Sequence, residues 1–235
     1  MSGWRALLIV YRETDVKLPA RLRRKQRFHQ IASDDEVNDA VASFRAFPLL
    51  AAELSFGAAK VNPNIVEADA PLRTLSPQGD RNYWPSPDDT REELDRFAPA
   101  GSYESIFVFW PQNDFRKGTS IPCRGWGLGM GSSDWSHGAT YAVVANAQSD
   151  AWRREAHGEV WLHEWLHGVC HHFAQQGHAL PERDADGAEL HGYLRSPSAG
   201  WTEYYRDLMT GNVSEKGKLC GIPCEAWAQD VSRIA

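Results

Sequence analysis

The residues best equipped for chemistry in this chain are its histidines. Seven of the nine, His157, His163, His167, His171, His172, His178 and His191, fall between positions 157 and 191. Inside that cluster lies His163-Glu164-Trp165-Leu166-His167, flanked by Val160, Trp161 and Leu162 before it and by Val169 and Phe173 after it. No proline interrupts the stretch from Ala151 to Leu180, so a helix can run through it. On a helix, histidines four apart project from one face on successive turns, close enough to hold one zinc ion. The glutamate beside the first then reaches a water at that ion. Two imidazoles and a carboxylate are expensive to bury on an otherwise apolar helix without a metal or partners. This composition gives only about 0.02 such matches by chance. His163 and His167 are therefore expected to ligate Zn²⁺, and Glu164 to act as the general base.

The H-E-x-x-H pattern, over about twenty residues around the helix, resembles that of the zincin metallopeptidases. The resemblance implies zinc-dependent hydrolysis of peptide bonds, with a peptide or protein as the substrate. It also implies an N-terminal lobe with a twisted sheet, whose edge strand runs over the active-site helix and pairs with extended substrate. Ala139 to Ala145, just before the helix, holds the corresponding place. Metzincins carry a glycine three residues after the second histidine and a third histidine three further on, where this chain has Cys170 and Phe173. His171 shares a face with His163 and His167, but eight residues of one helix span about 12 Å, too far for one ion. Gluzincins take their third ligand from a glutamate on a following helix, often with a small residue three positions later. Glu189 with Gly192 fits that, and Glu189 is the expected third ligand. Asp186, which would bring the site closer to the aspzincins, stays open, as do His191 and His178. Zincins commonly stabilise the oxyanion with a residue of the C-terminal lobe. Tyr193 is the expected one, with Tyr204, Tyr205 and His191 as alternatives. The runs AELHGY and WTEYYRDLM are also similar to those of uncharacterised bacterial proteins with an HE-W/F-L-H helix.

Two rival readings share the motif. Peptide deformylases carry H-E-x-x-H with an upstream cysteine as third ligand, and Cys123 lies forty residues before His163, although Ile121-Pro122-Cys123-Arg124-Gly125 lacks their E-G-C-L-S context. A non-catalytic alternative uses zinc structurally. Ten tryptophans, among them Trp84, Trp110, Trp126, Trp135 and Trp152, would then line a peptide- or carbohydrate-binding surface. Structural zinc is usually closed by four protein ligands, whereas two imidazoles beside a free glutamate suit an open site.

The elements that must position these residues read as α+β. The expected fold is zincin-like: a twisted, mostly parallel sheet with an antiparallel edge strand, packed on helices that include the motif helix, plus a smaller, mainly helical C-terminal lobe. Residues 1–173 form the first lobe and 174–235 the second, which carries the third ligand. Residues 5–11 are continuously apolar and predict a strand buried on both faces. Ser33 and Glu36 form a capping box. Val37, Ala40, Val41 and Phe44 follow at helical spacing, in a stripe that ends near Phe47-Pro48, with a further helical piece towards Gly57. Lys60 to Ala70 predicts a strand interrupted at Pro63, and Ser86-Pro87 the start of a helix ending near Phe97. Ser105 to Trp110 and Ala139 to Ala145 predict two more strands. Pro111 to Gly138 reads as loop, with glycines at 125, 127, 129 and 131, but without the spacing of a phosphate-binding loop. Trp201, Tyr204, Tyr205 and Leu208 mark a last helix.

Composition closes off other classes. The chain has 235 residues and a net charge of -6, which argues against a nucleic-acid partner. The basic run Arg21 to Arg27, followed by acids, reads as a solvated loop or frayed helix. No apolar run reaches the length of a membrane span. The start of the chain has no signal-peptide core, so a secreted protein is expected if a leader was removed, and a cytoplasmic one otherwise. Four cysteines are too few for a disulfide scaffold. Cys220 and Cys224 pair with each other, with Cys123, or with nothing.

Overall fold

A computed structural model describes residues 3–19, 25–153 and 156–228. Its centre is a five-stranded sheet made of β1 (Trp4–Val10), β2 (Val61–Glu67), β3 (Ser105–Trp110), β4 (Gly127–Met130) and β5 (Thr140–Ala145), in the order β4-β5-β3-β1-β2. β1 runs parallel to β2 and β3, β3 runs parallel to β5, and β4 alone is antiparallel to its neighbour. Four α-helices accompany it among the described residues: α1 (Asp34–Leu54), α2 (Arg91–Phe97), α3 (Glu159–Gln175) and α4 (Thr202–Met209). The class is α+β with a mixed, mostly parallel sheet. Among the described residues no helix is long and apolar enough to cross a membrane.

The central strands are apolar throughout because both faces are covered. Trp4, Ala6, Leu8 and Val10 of β1 join Phe107, Phe109, Ala142 and Val144 against α1, α3 and α4. Leu7 and Ile9 join Ile106, Val108, Tyr141 and Val143 against Leu94 of α2 and Val16, Leu18 and Phe28 of a hairpin. That hairpin pairs Glu13–Pro19 with Lys25–Ile31. It corrects the reading of the basic run where it can be described: Arg27 lies on a strand and bonds Asp15 at 2.7 Å, while residues 21–24 fall outside the described residues. Its strands are also linked by side-chain hydrogen bonds such as His29–Glu13, an across-strand pattern that a window along one strand does not show.

Other boundaries moved for local reasons. The Ser33–Glu36 capping box forms, but α1 continues through Pro48 to Leu54. Phe44, Phe47, Ala51 and Leu54 are buried on its inner face, and their packing outweighs one missing backbone bond. Pro63 stays within β2 because that strand is the sheet's outer edge. Ser86 and Asp89 make their reciprocal bonds but close a turn, and α2 starts only at Arg91. Beyond residue 174 the described chain holds one α-helix, short 3-10 turns and a hairpin of Val213–Glu215 with Lys218–Cys220. Tyr204, Leu208, Met209 and Trp227 from this segment enter the same apolar cluster as α1 and α3.

The expected edge strand is the main correction. Thr140–Ala145 is buried along its whole length between β3 and β4. The edge is β4, inside the stretch read as loop, and its alternate glycines explain why it forms there. A Cβ at Gly127 would overlap the Glu164 carboxyl, one at Gly129 would overlap the Glu164 carbonyl oxygen, and one at Gly131 would overlap the His171 ring. With a period of two, these positions share one strand face, and that face lies directly on α3. The helix reciprocates at Gly168, where a Cβ would stand 2.7 Å from the Met130 oxygen. Glycine here buys close approach, so the strand carries none of the side chains by which strands are usually recognised.

Candidate metal centre

α3 presents the motif as its spacing requires. Trp161, Leu162, Trp165, Leu166 and Val169 are buried against the sheet and α1, which leaves His163 and His167 half-buried at the cleft and Glu164 buried beneath β4. The two Nε2 atoms stand 3.3 Å apart. Asp186, on the 3-10 turn Asp184–Asp186, brings Oδ1 to 3.5 Å from His163 Nε2 and Oδ2 to 4.0 Å from His167 Nε2. His163, His167 and Asp186 thus offer ligand atoms that all lie within 4.8 Å of one another, a group able to hold a metal ion.

The surroundings of the rings fit that use. His167 Nδ1 lies 2.5 Å from Asp184 Oδ1, and a carboxylate only accepts, so this nitrogen carries a proton, and in the neutral ring Nε2 then offers its lone pair. His163 Nδ1 lies 2.7 Å from the Tyr205 hydroxyl. With the tyrosine oxygen accepting, two lone pairs converge at the same place, an arrangement that a cation relieves. Two nitrogens each about 2.05 Å from a tetrahedral ion stand about 3.3 Å apart, which is the separation found. Tyr204, the neighbour of Tyr205 on α4, donates to the Asp184 carbonyl. Arg183 and Asp184 both have positive φ, at 66° and 35°, so this turn is held in a strained shape by what it bonds.

Electrostatics divide the groups. Burial and the neighbouring His167 draw His163 down to about 4, although Asp186 and Asp184 oppose the shift. For His167 burial acts downwards, but the Asp184 hydrogen bond and the nearby carboxylates outweigh it and the net shift is upwards. Burial pushes Glu164 up to about 8, against the pull of His167. Burial likewise lifts Glu159, the first residue of α3, to about 7, although the Trp201 backbone N–H opposes it. The Tyr205 phenol is driven well above its usual range, so it keeps its proton.

A cleft of about 520 Å³ opens over the group, lined by β4 and Trp126 before it, by Glu159, Val160, His163, Glu164 and His167 of α3, and by Asp186, Arg195, Trp201 and Tyr205. Glu189, the expected third ligand, is exposed and stands outside the group, because the chain after Asp186 turns away through Gly187 to Gly192 without forming a helix. His191 bonds the Glu182 carbonyl and stacks on Tyr204, and His178 packs on Phe173. Tyr193 donates to Asp207 at 2.6 Å and does not line the cleft, whereas Tyr205 does. His171 bonds Gln175 and His172 packs edge-on to Trp4. Asp184 and Tyr205 bond the two imidazoles, whereas the sequence offers Tyr205 only as an alternative oxyanion residue and gives Asp184 no role. The only signals for them were a carboxylate two positions before Asp186 and a helical aromatic stripe that equally describes core.

The rival sites separate in space. Cys123 packs against the apolar cluster on the other sheet face and is not in the ligand group. The four cysteines are all free thiols. Of the tryptophans considered for a binding surface, Trp84, Trp110 and Trp152 are buried, Trp135 is exposed, and Trp126 lines the cleft. Compared with known proteins, the chain matches no family model and no curated sequence.

Proposed function

We propose that this protein is a zinc metallopeptidase of zincin type, with His163, His167 and Asp186 as the protein ligands and Glu164 as the general base. The observation that carries the reading is the conjunction of a three-ligand group, a buried glutamate 3.9 Å from His163 Nε2, and an open cleft bordered by a sheet edge. Three protein ligands with solvent access are the pattern of catalytic zinc, not of structural zinc. A bound zinc ion supplies Lewis-acid polarisation of the scissile carbonyl and makes water acidic enough to be deprotonated near neutrality.

The chain's own groups do the rest. Glu164, with its carboxyl 3.9 Å from His163 Nε2, is placed to take a proton from the attacking water and to deliver it to the leaving amine. The outer edge of β4 has backbone groups to pair with an extended peptide, which fixes the scissile bond over α3. Tyr205 accepts from His163 Nδ1–H, which leaves its own O–H to donate to the developing oxyanion; its place in the cleft favours it over Tyr193. The direct test is zinc content and cleavage of a peptide library by the wild type and Glu164→Gln. Zinc near one per chain in both, with cleavage in the wild type alone, is expected. Cleavage by Glu164→Gln at the wild-type rate overturns the role of Glu164.

A further inference from the structure

Glu159 is a carboxylate for which the hydrolytic chemistry above has no use. It opens α3, is only 4% exposed, and yet lines the cleft. Oε1 accepts the Trp201 backbone N–H at 2.6 Å, while Oε2 is buried with no hydrogen-bond partner. The chain makes room for it at Gly200, where φ is 57° and any Cβ would overlap this carboxylate. Holding Trp201 takes one acceptor, which a glutamine would supply. The second oxygen is therefore unexplained by a tying role, and a buried bare acceptor costs free energy until something donates to it.

Position and charge indicate what that something is. Four residues of helix separate Glu159 from His163, about 6 Å along the axis, so the two side chains lie on one face a single turn apart. A group held by Glu159 would thus sit one helical turn from His163, where a substrate residue flanking the reacting bond would lie. Three carboxylates, Glu159, Glu164 and Asp186, line the cleft against Arg195, and Val160, Trp126 and Trp201 add apolar surface for a methylene stem.

We propose that Glu159 is a specificity residue that pairs with the ammonium or guanidinium of a lysine or arginine beside the scissile bond, making peptides with a basic residue there the substrate class. This rests on the peptidase reading. A cation that reaches Oε2 holds the carboxyl in its ionised form and completes it with a charge-assisted bond, whereas a neutral side chain does neither, which is the situation in which sites discriminate most strongly.

The test uses the zinc-loaded full chain on a peptide library read by mass spectrometry, then on matched peptides with Lys, Arg, Met or Gln at the enriched position. Lys and Arg are expected to exceed Met and Gln by at least about tenfold in kcat/KM, and Glu159→Gln to bring that ratio to about one. Glu159→Asp, which keeps the charge, should retain a reduced preference, and zinc content and thermal unfolding are followed for both variants. In parallel, n-butylammonium, which has no bond to cleave, should raise the melting temperature of the wild type but not of Glu159→Gln. Cleavage without basic preference, or a preference that survives in Glu159→Gln, overturns the specificity role and leaves the peptidase reading intact. Absence of all cleavage overturns the peptidase reading, and a butylammonium shift dependent on Glu159 would then still establish the cation site.

Discussion

At the scale of single residues, the proposed centre separates groups that would touch an ion from groups that aim them. Asp186→Ala removes a proposed ligand and is expected to weaken zinc binding by about a hundredfold or more, while Glu189→Ala leaves it within a factor of about three. Competition with a chromophoric chelator reads both. Asp184→Asn keeps the shape of the turn but can present an N–H to His167 Nδ1, and should cost about 10- to 100-fold in affinity. Equal zinc affinity in Asp186→Ala and wild type would remove Asp186 from the ligand set. Glu159 gives a second test, of linkage. Its folded value is about 7 and its ordinary value is 4.5, raised by burial, so between those limits the folded protein holds a proton that the unfolded chain has released. This contribution is fully present below about pH 4.5 and is lost as pH rises through about 7. In urea unfolding of the zinc-free protein, the wild type should lose about 2 to 3 kcal/mol more between pH 5 and pH 8 than Glu159→Gln. An identical pH dependence in the two proteins would show that the carboxyl is not buried in the fold.

At the scale of elements, the centre depends on how closely β4 approaches α3, and the glycines set that distance. Gly129→Ala meets backbone, the Glu164 carbonyl, which cannot swing away. Gly127→Ala meets the movable Glu164 carboxyl. Gly129→Ala is therefore expected to destabilise by about 1 to 3 kcal/mol, seen as a lower urea midpoint, whereas Gly127→Ala should cost less stability but displace the base and so lose turnover at unchanged zinc content. The same contact shows what the sequence made legible. β1, β3, β5, α1, α3 and α4 announce themselves because burying a whole strand or one helix face demands a run or stripe of apolar side chains. His163, Glu164 and His167 were legible because one helix fixes their spacing. β4 was not, since an edge strand that lies on a helix through its missing side chains leaves only glycines in the sequence. Nor was the placing of Asp186, rather than Glu189, beside the two histidines, which depends on whether the chain after α3 turns or continues as a helix. The turn is tied by Tyr204, which holds the Asp184 carbonyl from α4, a contact twenty residues away in sequence.

At the scale of the whole molecule, the proposed ligands belong to two parts of the chain, which the Glu159–Trp201 and His163–Tyr205 bonds also join at the cleft. His163 and His167 ride on α3, which is fixed to the sheet through Trp161 and Trp165. Asp186 sits on an exposed turn, held by the Asp184–His167 bond and by Tyr204. A bound ion would therefore act as a cross-link from α3 to the segment that leads into α4, and its loss should loosen that segment more than the sheet. Zinc at a thousandfold over its dissociation constant is expected to stabilise the fold by about 4 kcal/mol, a gain that chelation removes. The gain should be absent in Asp186→Ala even though the apolar core is untouched. Hydrogen exchange locates the effect: on chelation, amides of residues 178–210 should lose protection first, while β1, β3 and β5 keep theirs. Uniform loss across the sheet would mean that the ion supports the fold globally, and unchanged protection everywhere would mean that no ion bridges the two parts. The localised outcome is the one expected of a catalytic centre, because a rigid α3 then presents the base while the ligand-bearing turn and the wall of the cleft beyond it retain the freedom to admit substrate.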